Sequence, residues 1–259
     1  MKIYLFVGGL GLFTGFLSGL LGIGGGIVMA PLLLYLPPLF GFVSLSMRTV
    51  AGLTIVQGFL GCISGALTHR RFHFVSNRLS FYMGTSIFIA ALAGGAGAGY
   101  VSNTILLVIF AGLVLCASFL MLIPVKGDME IPDIDSLFFS RWRAVTAATG
   151  VGLLGGLVGQ GGSFILIPLM TAFVKIPTRI AIGSNLAIVL LSSTAGLIGK
   201  AATGQIEWDM AIPIALTVIP AAHLGSYASR LLPVFILRRI LVILIAVAAV
   251  RIWISVFFL

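Results

Sequence analysis

Two glycine-rich runs contain the residues of this chain whose type and spacing are best suited to binding a ligand. The first, GLLGIGGG, covers residues 19–26 and lies inside an unbroken apolar stretch. A helix that breaks there and restarts presents free backbone N–H groups and about half a positive charge at its new N-terminus. Glycine also lets a ligand approach the backbone closely. The run therefore predicts an anion-binding turn within an apolar segment.

The second run repeats this pattern in the other half of the chain. GLLGIGGGIVMAPLL (19–33) aligns without gaps with GLVGQGGSFILIPLM (156–170). Near the end of each run a Pro-Leu pair matches, at 31–32 and 168–169. Further along, MRTVAGLT (47–54) parallels TRIAIGSN (178–185), with one arginine opposite the other. Landmarks in the same order indicate an internal duplication, which is frequent in transporter folds. The alternative is chance similarity between glycine-rich apolar segments.

The composition around these runs is that of a membrane protein. Of the 259 residues, 60% are hydrophobic and 8% are charged, whereas soluble domains carry about 25% charged residues. We therefore predict an all-α polytopic membrane protein. The net charge of +9 comes from basic residues clustered in short loops, as in cytoplasmic loops, and predicts no nucleic-acid partner. Cys62 and Cys116 lie in apolar segments and predict no metal site or other cofactor.

A polar linker divides the chain into two predicted membrane repeats. The linker covers residues 124–142, and the repeats cover 1–123 and 143–259. Each repeat is predicted to contain a glycine-rich broken helix or helical hairpin, followed by three transmembrane helices. We place the basic loop at 69–78 in the cytoplasm. If the glycine runs are hairpin tips, the repeats are inverted and most basic residues face the cytoplasm. If the runs are kinks, the repeats are parallel and six basic residues lie outside: Arg48, Lys175, Arg179, Arg230, Arg238 and Arg239. The loop charges favour hairpins and inverted repeats.

The distribution of charge supports an anion as the ligand. All six acidic residues lie in loops or at segment edges, whereas a cation or proton pathway ordinarily has a carboxylate at depth. Arg48 and Arg179 begin matched segments and are candidates for the substrate's counter-charge, although both are also explained as interfacial anchors. His223 is a candidate for proton coupling, with hydrogen bonding inside the bundle as the alternative.

The predicted substrate-binding residues belong to the two glycine turns and to the segments that follow them: Gly22, Gly24, Gly25, Gly26, Gly159, Gln160, Gly161, Gly162, Ser163, Arg48, Arg179, Ser184 and Asn185. Thr54 and Gln57 are further polar residues near the first-repeat counterpart of the last two. The glycines at 11, 15 and 19 have another interpretation, because small residues spaced by four pack transmembrane helices closely.

The paired glycine runs, together with AIGSN at 181–185, resemble the TauE/SafE family of sulfite and organosulfonate transporters over nearly the whole chain. The resemblance implies a small secondary carrier of the inner membrane. It also implies substrates such as sulfite, sulfoacetate or a related sulfur-containing anion, often exported. The first repeat departs from the second, since it has Leu53 and Thr54 where the second has Ser184 and Asn185.

These observations predict a secondary transporter that moves a small anion by alternating access and has no enzymatic activity. Its predicted partners are the anion and the lipid bilayer, and a homo-oligomer is left open. An ATP-binding loop of the G-x-x-x-x-G-K-[ST] type is not found in the sequence. Two alternatives are an anion channel and an intramembrane serine hydrolase with Ser163 or Ser184 as nucleophile and His223 as base.

Overall fold

The computed structural model describes residues 2–97, 101–123, 134, 137–158, 162–202, 204 and 206–257. Within these ranges the chain forms helices and contains no strand. In chain order the helices are α1 (Lys2–Leu21), α2 (Gly26–Leu39), α3 (Met47–Arg71), α4 (Asn77–Gly97), α5 (Asn103–Leu122), α6 (Arg141–Val158), α7 (Ser163–Leu169), α8 (Thr178–Ala202), α9 (Trp208–Leu231) and α10 (Val234–Phe257). A π-helical turn over Met170–Val174 extends α7.

Four of these helices, α1, α3, α8 and α9, are long and apolar enough to cross a bilayer by length and composition. A helix of 20 residues spans about 30 Å, the thickness of the hydrocarbon core. Large apolar side chains are exposed on the outer faces of the bundle, including Leu216, Leu224 and Ile243. Lipid tails are the natural neighbours of such faces. The prediction of an all-α polytopic membrane protein is confirmed.

The helices on either side of each glycine-rich run fold back on one another. The rings of Phe6, near the start of α1, and Phe40, just after α2, have their centroids 5.1 Å apart. In the second half, the guanidinium of Arg143 near the start of α6 lies 5.8 Å from the ring centroid of Phe173. Because the beginning and end of each pair meet, both pairs are helical hairpins and not single kinked crossings.

Each hairpin packs on the other half of the chain. The first helix of the first half, α1, runs alongside α9, and three of its glycines lie against the α9 backbone or side chains: Gly11, Gly15 and Gly19. In the same way, Gly152 and Gly156 of α6 lie against α4, where a Cβ would approach the backbone of Ile87 and Ala91. The close-packing role predicted for Gly11, Gly15 and Gly19 is confirmed.

At the centre of the bundle, α3 and α8 pack in opposite directions. Gly65, late in α3, approaches Leu186 early in α8. Ile55, early in α3, approaches Gly196 late in α8. These two helices are equivalent in the alignment of the two halves, so the equivalent helices begin at opposite ends of the bundle.

One end of the bundle, here called the basic end, collects most of the described basic residues. The guanidinium of Arg230, at the end of α9, lies 4.8 Å from the ring centroid of Phe72 in the α3–α4 loop. That of Arg179, at the start of α8, lies 5.4 Å from the ring of Phe74 in the same loop. The other basic residues of this end are Arg70, Arg71, Arg78, Arg141, Arg143, Lys175, Arg238 and Arg239.

At the opposite end, the hydroxyl of Thr49 donates a hydrogen bond of 2.6 Å to Oε1 of Glu207. This contact places the starts of α3 and α9 together. The second half begins structurally at Arg141, two residues before the boundary at 143 that the sequence predicts. Within the predicted linker, residues 124–133 and 135–136 lie outside the described residues.

Replacing Gly15 by alanine is expected to lower the free energy of unfolding by about 1–3 kcal/mol. The new Cβ would lie 2.9 Å from the Cα of Val218, so α1 and α9 would have to separate. The midpoint of thermal unfolding of the purified protein in detergent measures the effect. Gly9 is the matched control in the same helix, because a Cβ there meets nothing within 4 Å. Equal midpoints for the two alanine variants would contradict the close α1–α9 packing.

Candidate functional site

The tip of the first hairpin has a backbone conformation that glycine favours. Gly22, Gly24 and Gly25 have φ angles of 70°, 66° and 76°, in the left-handed region that other residues seldom occupy. Gly25 immediately precedes α2, and Gly26 is the first residue of that helix. The N–H of Val28 bonds to the carbonyl of Gly25, whereas the N–H groups of Gly26 and Ile27 precede the first bond within the helix. The predicted restart of the helix at the glycine run is thus observed.

The second hairpin restarts in the same way. Gly162, with φ of 62°, precedes Ser163 at the start of α7. A Cβ at Gly162 would lie 2.5 Å from a side-chain carbon of Val151 in α6, so the turn also has no space for a larger residue. Gly159, Gln160 and Gly161 lie outside the described residues, and their predicted part in binding stays a prediction.

The two hairpin tips meet in the middle of the bundle and are joined by hydrogen bonds. The hydroxyl of Ser163 donates to the carbonyl of Ile23 over 2.7 Å. Nδ2 of Asn185 donates to the carbonyl of Gly22 over 2.5 Å and to that of Ser163 over 3.0 Å. The carbonyls of Gly22 and Ile23 lie past the end of α1 and have no partner in that helix, and buried polar groups require partners. Ser163 and Asn185 provide them.

A small cavity of about 20 Å³ lies where the two tips meet α3 and α8. This volume holds about one water molecule. The lining residues come from the first tip, from the start of α7, and from α3 and α8: Gly24, Gly26, Thr54, Ile55, Gly58, Ser163, Val189 and Ser193. A substrate larger than water therefore needs the surrounding elements to move apart before it can enter.

Gln57 on α3 is the most unusual polar residue beside this cavity. Its side chain is fully buried, and neither Nε2 nor Oε1 has a hydrogen-bond partner among the described residues. The amide packs directly on Gly25, where a Cβ would overlap Nε2. Leaving a buried amide unpaired costs about 1–3 kcal/mol. A donor kept at this cost beside a helix N-terminus is suited to a ligand that completes its hydrogen bonds.

Thr54 and Ser193 line the cavity, and Gln57 packs on Gly25 beside it. Thr54 and Gln57 are the further polar residues named from the sequence, whereas the predictions do not include Ser193. A signal for Ser193 was present in the sequence. Asn185, Val189 and Ser193 are spaced by four residues and so share one face of α8. Thr54 and Ser193 at present donate to carbonyls of their own helices, over 3.2 Å to Ala51 and 2.8 Å to Val189.

Arg179 lies at the basic end and not among the residues that line the cavity. Its guanidinium donates from Nη1 to the carbonyl of Ser229 over 2.9 Å and from Nη2 to that of Leu232 over 2.8 Å. The residue thus caps the C-terminus of α9, where a cation also suits the helix dipole. This geometry differs from the predicted counter-charge for the substrate. The side chain of Arg48 lies outside the described residues.

Ser184 and His223 also differ from their predicted roles. The hydroxyl of Ser184 accepts a hydrogen bond of 3.0 Å from the backbone N–H of Ser76, which begins the turn into α4. His223 is exposed on the outer surface of α9, with Nδ1 2.9 Å from the hydroxyl oxygen of Thr68. It therefore does not face the cavity at the hairpin tips, where a coupled proton would act directly on the substrate.

Replacing Asn185 by alanine is expected to lower the free energy of unfolding by about 2 kcal/mol or more. The change removes the side-chain donor from the carbonyls of Gly22 and Ser163, which stay buried. Thermal unfolding in detergent measures the effect. The control is Ser193→Ala, which removes hydrogen bonding only within α8, to the carbonyls of Val189 and Leu190, and leaves the hairpin tips joined. A midpoint for Asn185→Ala as high as that of the control would show that the tips do not depend on this amide.

Comparison with known proteins agrees with this architecture. The family model described as sulfite exporter TauE/SafE matches residues 7–252. A protein of Bacillus subtilis named probable membrane transporter protein YunE is 26% identical over 236 residues, with 84% of each chain covered. A probable membrane transporter protein of Haemophilus influenzae is 26% identical over 258 residues, covering 95% of this chain and 96% of the relative. No solved structure gives a significant match.

The match extends over both hairpins and all the helices between them. The family and the similar proteins are membrane transporters and not enzymes, which excludes the alternative of a serine hydrolase. The protein is a multi-pass membrane transporter. The chain belongs to the TauE/SafE sulfite exporter family.

Proposed function

We propose that this transporter is a secondary carrier that exports a small oxyanion, such as sulfite, sulfoacetate or a related organosulfonate, across the inner membrane. The proposed binding site lies between the two hairpin tips. The observation that carries the proposal is the buried, unpartnered amide of Gln57, which packs on Gly25 at the N-terminus of α2. An oxyanion bound there would accept hydrogen bonds from this amide and from the free N–H groups of the helix.

The described charges favour an anion over a cation at this position. The two described carboxylates, Glu207 and Asp209, are exposed at the start of α9 and far along the chain from either hairpin tip. The donors near the cavity are amides and hydroxyls. Thr54 and Ser193 have rotatable O–H groups, which we propose turn from their helix carbonyls toward the substrate when it enters. Sulfur oxyanions offer several acceptor oxygens for such donors, and the family's description includes sulfite.

We further propose that the two halves are inverted repeats that give alternating access. Two observations support this. The equivalent helices α3 and α8 pack in opposite directions. Each hairpin also packs on the other half, since α1 lies against α9 and α6 against α4. A movement of the first hairpin with its partner helices would open the cavity toward one end of the bundle. The same movement of the second hairpin would open it toward the opposite end. The positive-inside rule predicts that the basic end faces the cytoplasm.

Gln57→Glu is expected to reduce transport of the sulfur anion at least about tenfold, because a carboxylate of the same shape repels an anion at close range. The measurement is uptake of sulfite, sulfoacetate, thiosulfate, sulfate and acetate into proteoliposomes. Gln57→Met, similar in size and uncharged, is the control and should lose less activity. Thermal unfolding of both variants verifies that they fold.

Unchanged flux in Gln57→Glu would overturn the proposed site, and failure of every sulfur anion to move would overturn the proposed substrate. Accelerated exchange against trans substrate identifies a carrier. Its absence, with flux that does not saturate, would show the anion channel that the sequence left open.

Cysteines at equivalent positions of the two halves test the inverted arrangement. Val43 follows the first hairpin and Lys175 follows the second, and both are exposed. In a background without Cys62 and Cys116, a membrane-impermeant maleimide should label Val43→Cys in intact cells and Lys175→Cys only after permeabilisation. Labelling of both from the same side would contradict inverted repeats.

A further inference from the structure

A groove opens on the outer surface of the bundle between α3 and α9, away from the hairpin tips. Its volume is about 230 Å³. The apolar part of its lining consists of Leu60, Ile63 and Leu67 from α3 with Ile219 from α9. Leu67 is 58% exposed and Ile219 is 47% exposed. Both helices are long and apolar enough to span a bilayer, so this part of the groove faces the acyl chains of lipids.

The other part of the lining is polar and lies at the basic end. It contains Arg71, the last residue of α3, together with Thr68 and His223. From Leu60 to Arg71 the groove follows eleven residues of helix, or about 17 Å. Its length thus extends from the hydrocarbon region to the end of the helix, where arginine side chains meet lipid headgroups.

Hydrogen bonds fix the imidazole of His223 in this groove. The hydroxyl of Thr68 donates to the carbonyl of Ser64 over 2.9 Å. The hydroxyl oxygen of Thr68 also lies 2.9 Å from Nδ1 of His223, and this hydrogen bond holds the ring in place. The other ring nitrogen, Nε2, is not used in this pair. The groove therefore presents a fixed imidazole edge beside a flexible guanidinium.

The surroundings of this polar part are basic and aromatic. Arg230 lies over the ring of Phe72 at 4.8 Å, and that ring is 6.0 Å from the ring of Tyr227. Among the described residues of the groove's lining none is acidic. Arginines with aromatic side chains at a helix end are typical of the headgroup layer, and basic pockets between helices on the cytoplasmic side bind anionic headgroups.

We propose that the α3–α9 groove binds an anionic phospholipid of the cytoplasmic leaflet. The phosphate lies beside Arg71 and His223, and one acyl chain follows Leu67, Ile63 and Leu60. A free phosphate or another small anion would use only the polar part. The rest of the lining is apolar apart from Ser64, whose hydroxyl donates to the carbonyl of Ile219, and favours a ligand with a hydrocarbon chain. The site is separate from the substrate cavity and does not depend on the identity of the transported anion.

Native mass spectrometry of the purified full-length protein tests this site with two lipids that have the same acyl chains. Phosphatidylglycerol should bind about fivefold or more tightly than phosphatidylcholine, the factor expected for one basic residue at a membrane surface. Arg71→Gln should abolish most of this preference. Arg70→Gln is the matched control, because Arg70 is the adjacent exposed arginine and does not line the groove.

A second variant, Ile219→Trp, tests the apolar part, since the larger side chain fills the groove and should weaken binding of both lipids. Equal binding of the two lipids to the wild-type protein, or an unchanged preference in Arg71→Gln, would overturn the proposal. Displacement of phosphatidylglycerol by glycerol phosphate at similar concentration would instead identify a small-anion site and would also overturn it. Thermal unfolding of each variant verifies that lost binding does not come from a lost fold.

Discussion

The architecture depends on how the chain satisfies backbone groups where two helices break inside an apolar bundle. A carbonyl or N–H without a partner at that depth costs several kcal/mol, so a break is stable only against protein or water. Here the hydroxyl of Ser163 in the second tip donates to the carbonyl of Ile23 in the first, and the amide of Asn185 on α8 donates to a carbonyl of each tip. Neither hairpin would be stable at the centre alone. The same requirement that joins the tips also gathers polar groups in one place. A ligand bound there would find hydrogen-bonding groups already buried beside it.

Close packing of small residues gives the hairpins their positions. Hydrophobic burial does not drive helices together in lipid, so association depends on contact and on backbone approach. Gly15 and Gly19 permit that approach along α1, where a Cβ at Gly19 would overlap the carbonyl of Ala222 in α9. Each hairpin is packed on helices of the other half, so the proposed movement of one half would also displace the hairpin tip of the other.

Much of the fold could be predicted from the sequence, because long apolar segments and repeated glycines are local signals. Composition indicated the membrane class, and the spacing of Gly11, Gly15 and Gly19 indicated a packing face. The partner of that face could not be predicted, since many helices in the bundle have small residues. From the sequence, only the charges of the loops favoured hairpins. The contact between Phe6 and Phe40 joins residues far apart in the chain, and local sequence patterns do not predict such contacts.

The site was predicted less completely than the fold. The first helix breaks at Gly22–Gly25 and α7 begins at Ser163, as the glycine runs predict, whereas the part of these residues in binding stays a prediction. The role of Arg179 could not be predicted from local sequence. An arginine at the start of a helix can bind a ligand or cap the end of a distant helix equally well. Gln57 could not be distinguished from a glutamine that hydrogen-bonds between helices. Only the three-dimensional structure shows that its amide has no such partner.

The unpartnered amide has a further consequence for the working of the transporter. The alignment that matches Arg48 with Arg179 pairs Gln57 with Ile188, which is fully buried. One half therefore offers an amide to the centre where the other offers hydrocarbon. Under the proposed alternating access, two conformations that exchange the roles of the halves would not be equal in free energy, and the empty protein would rest mainly in one of them. Substrate affinity measured from the two sides of the membrane would differ accordingly, although the equilibrium distribution of the substrate would be unaffected. Asymmetry between duplicated halves would thus give the proposed carrier a preferred resting orientation.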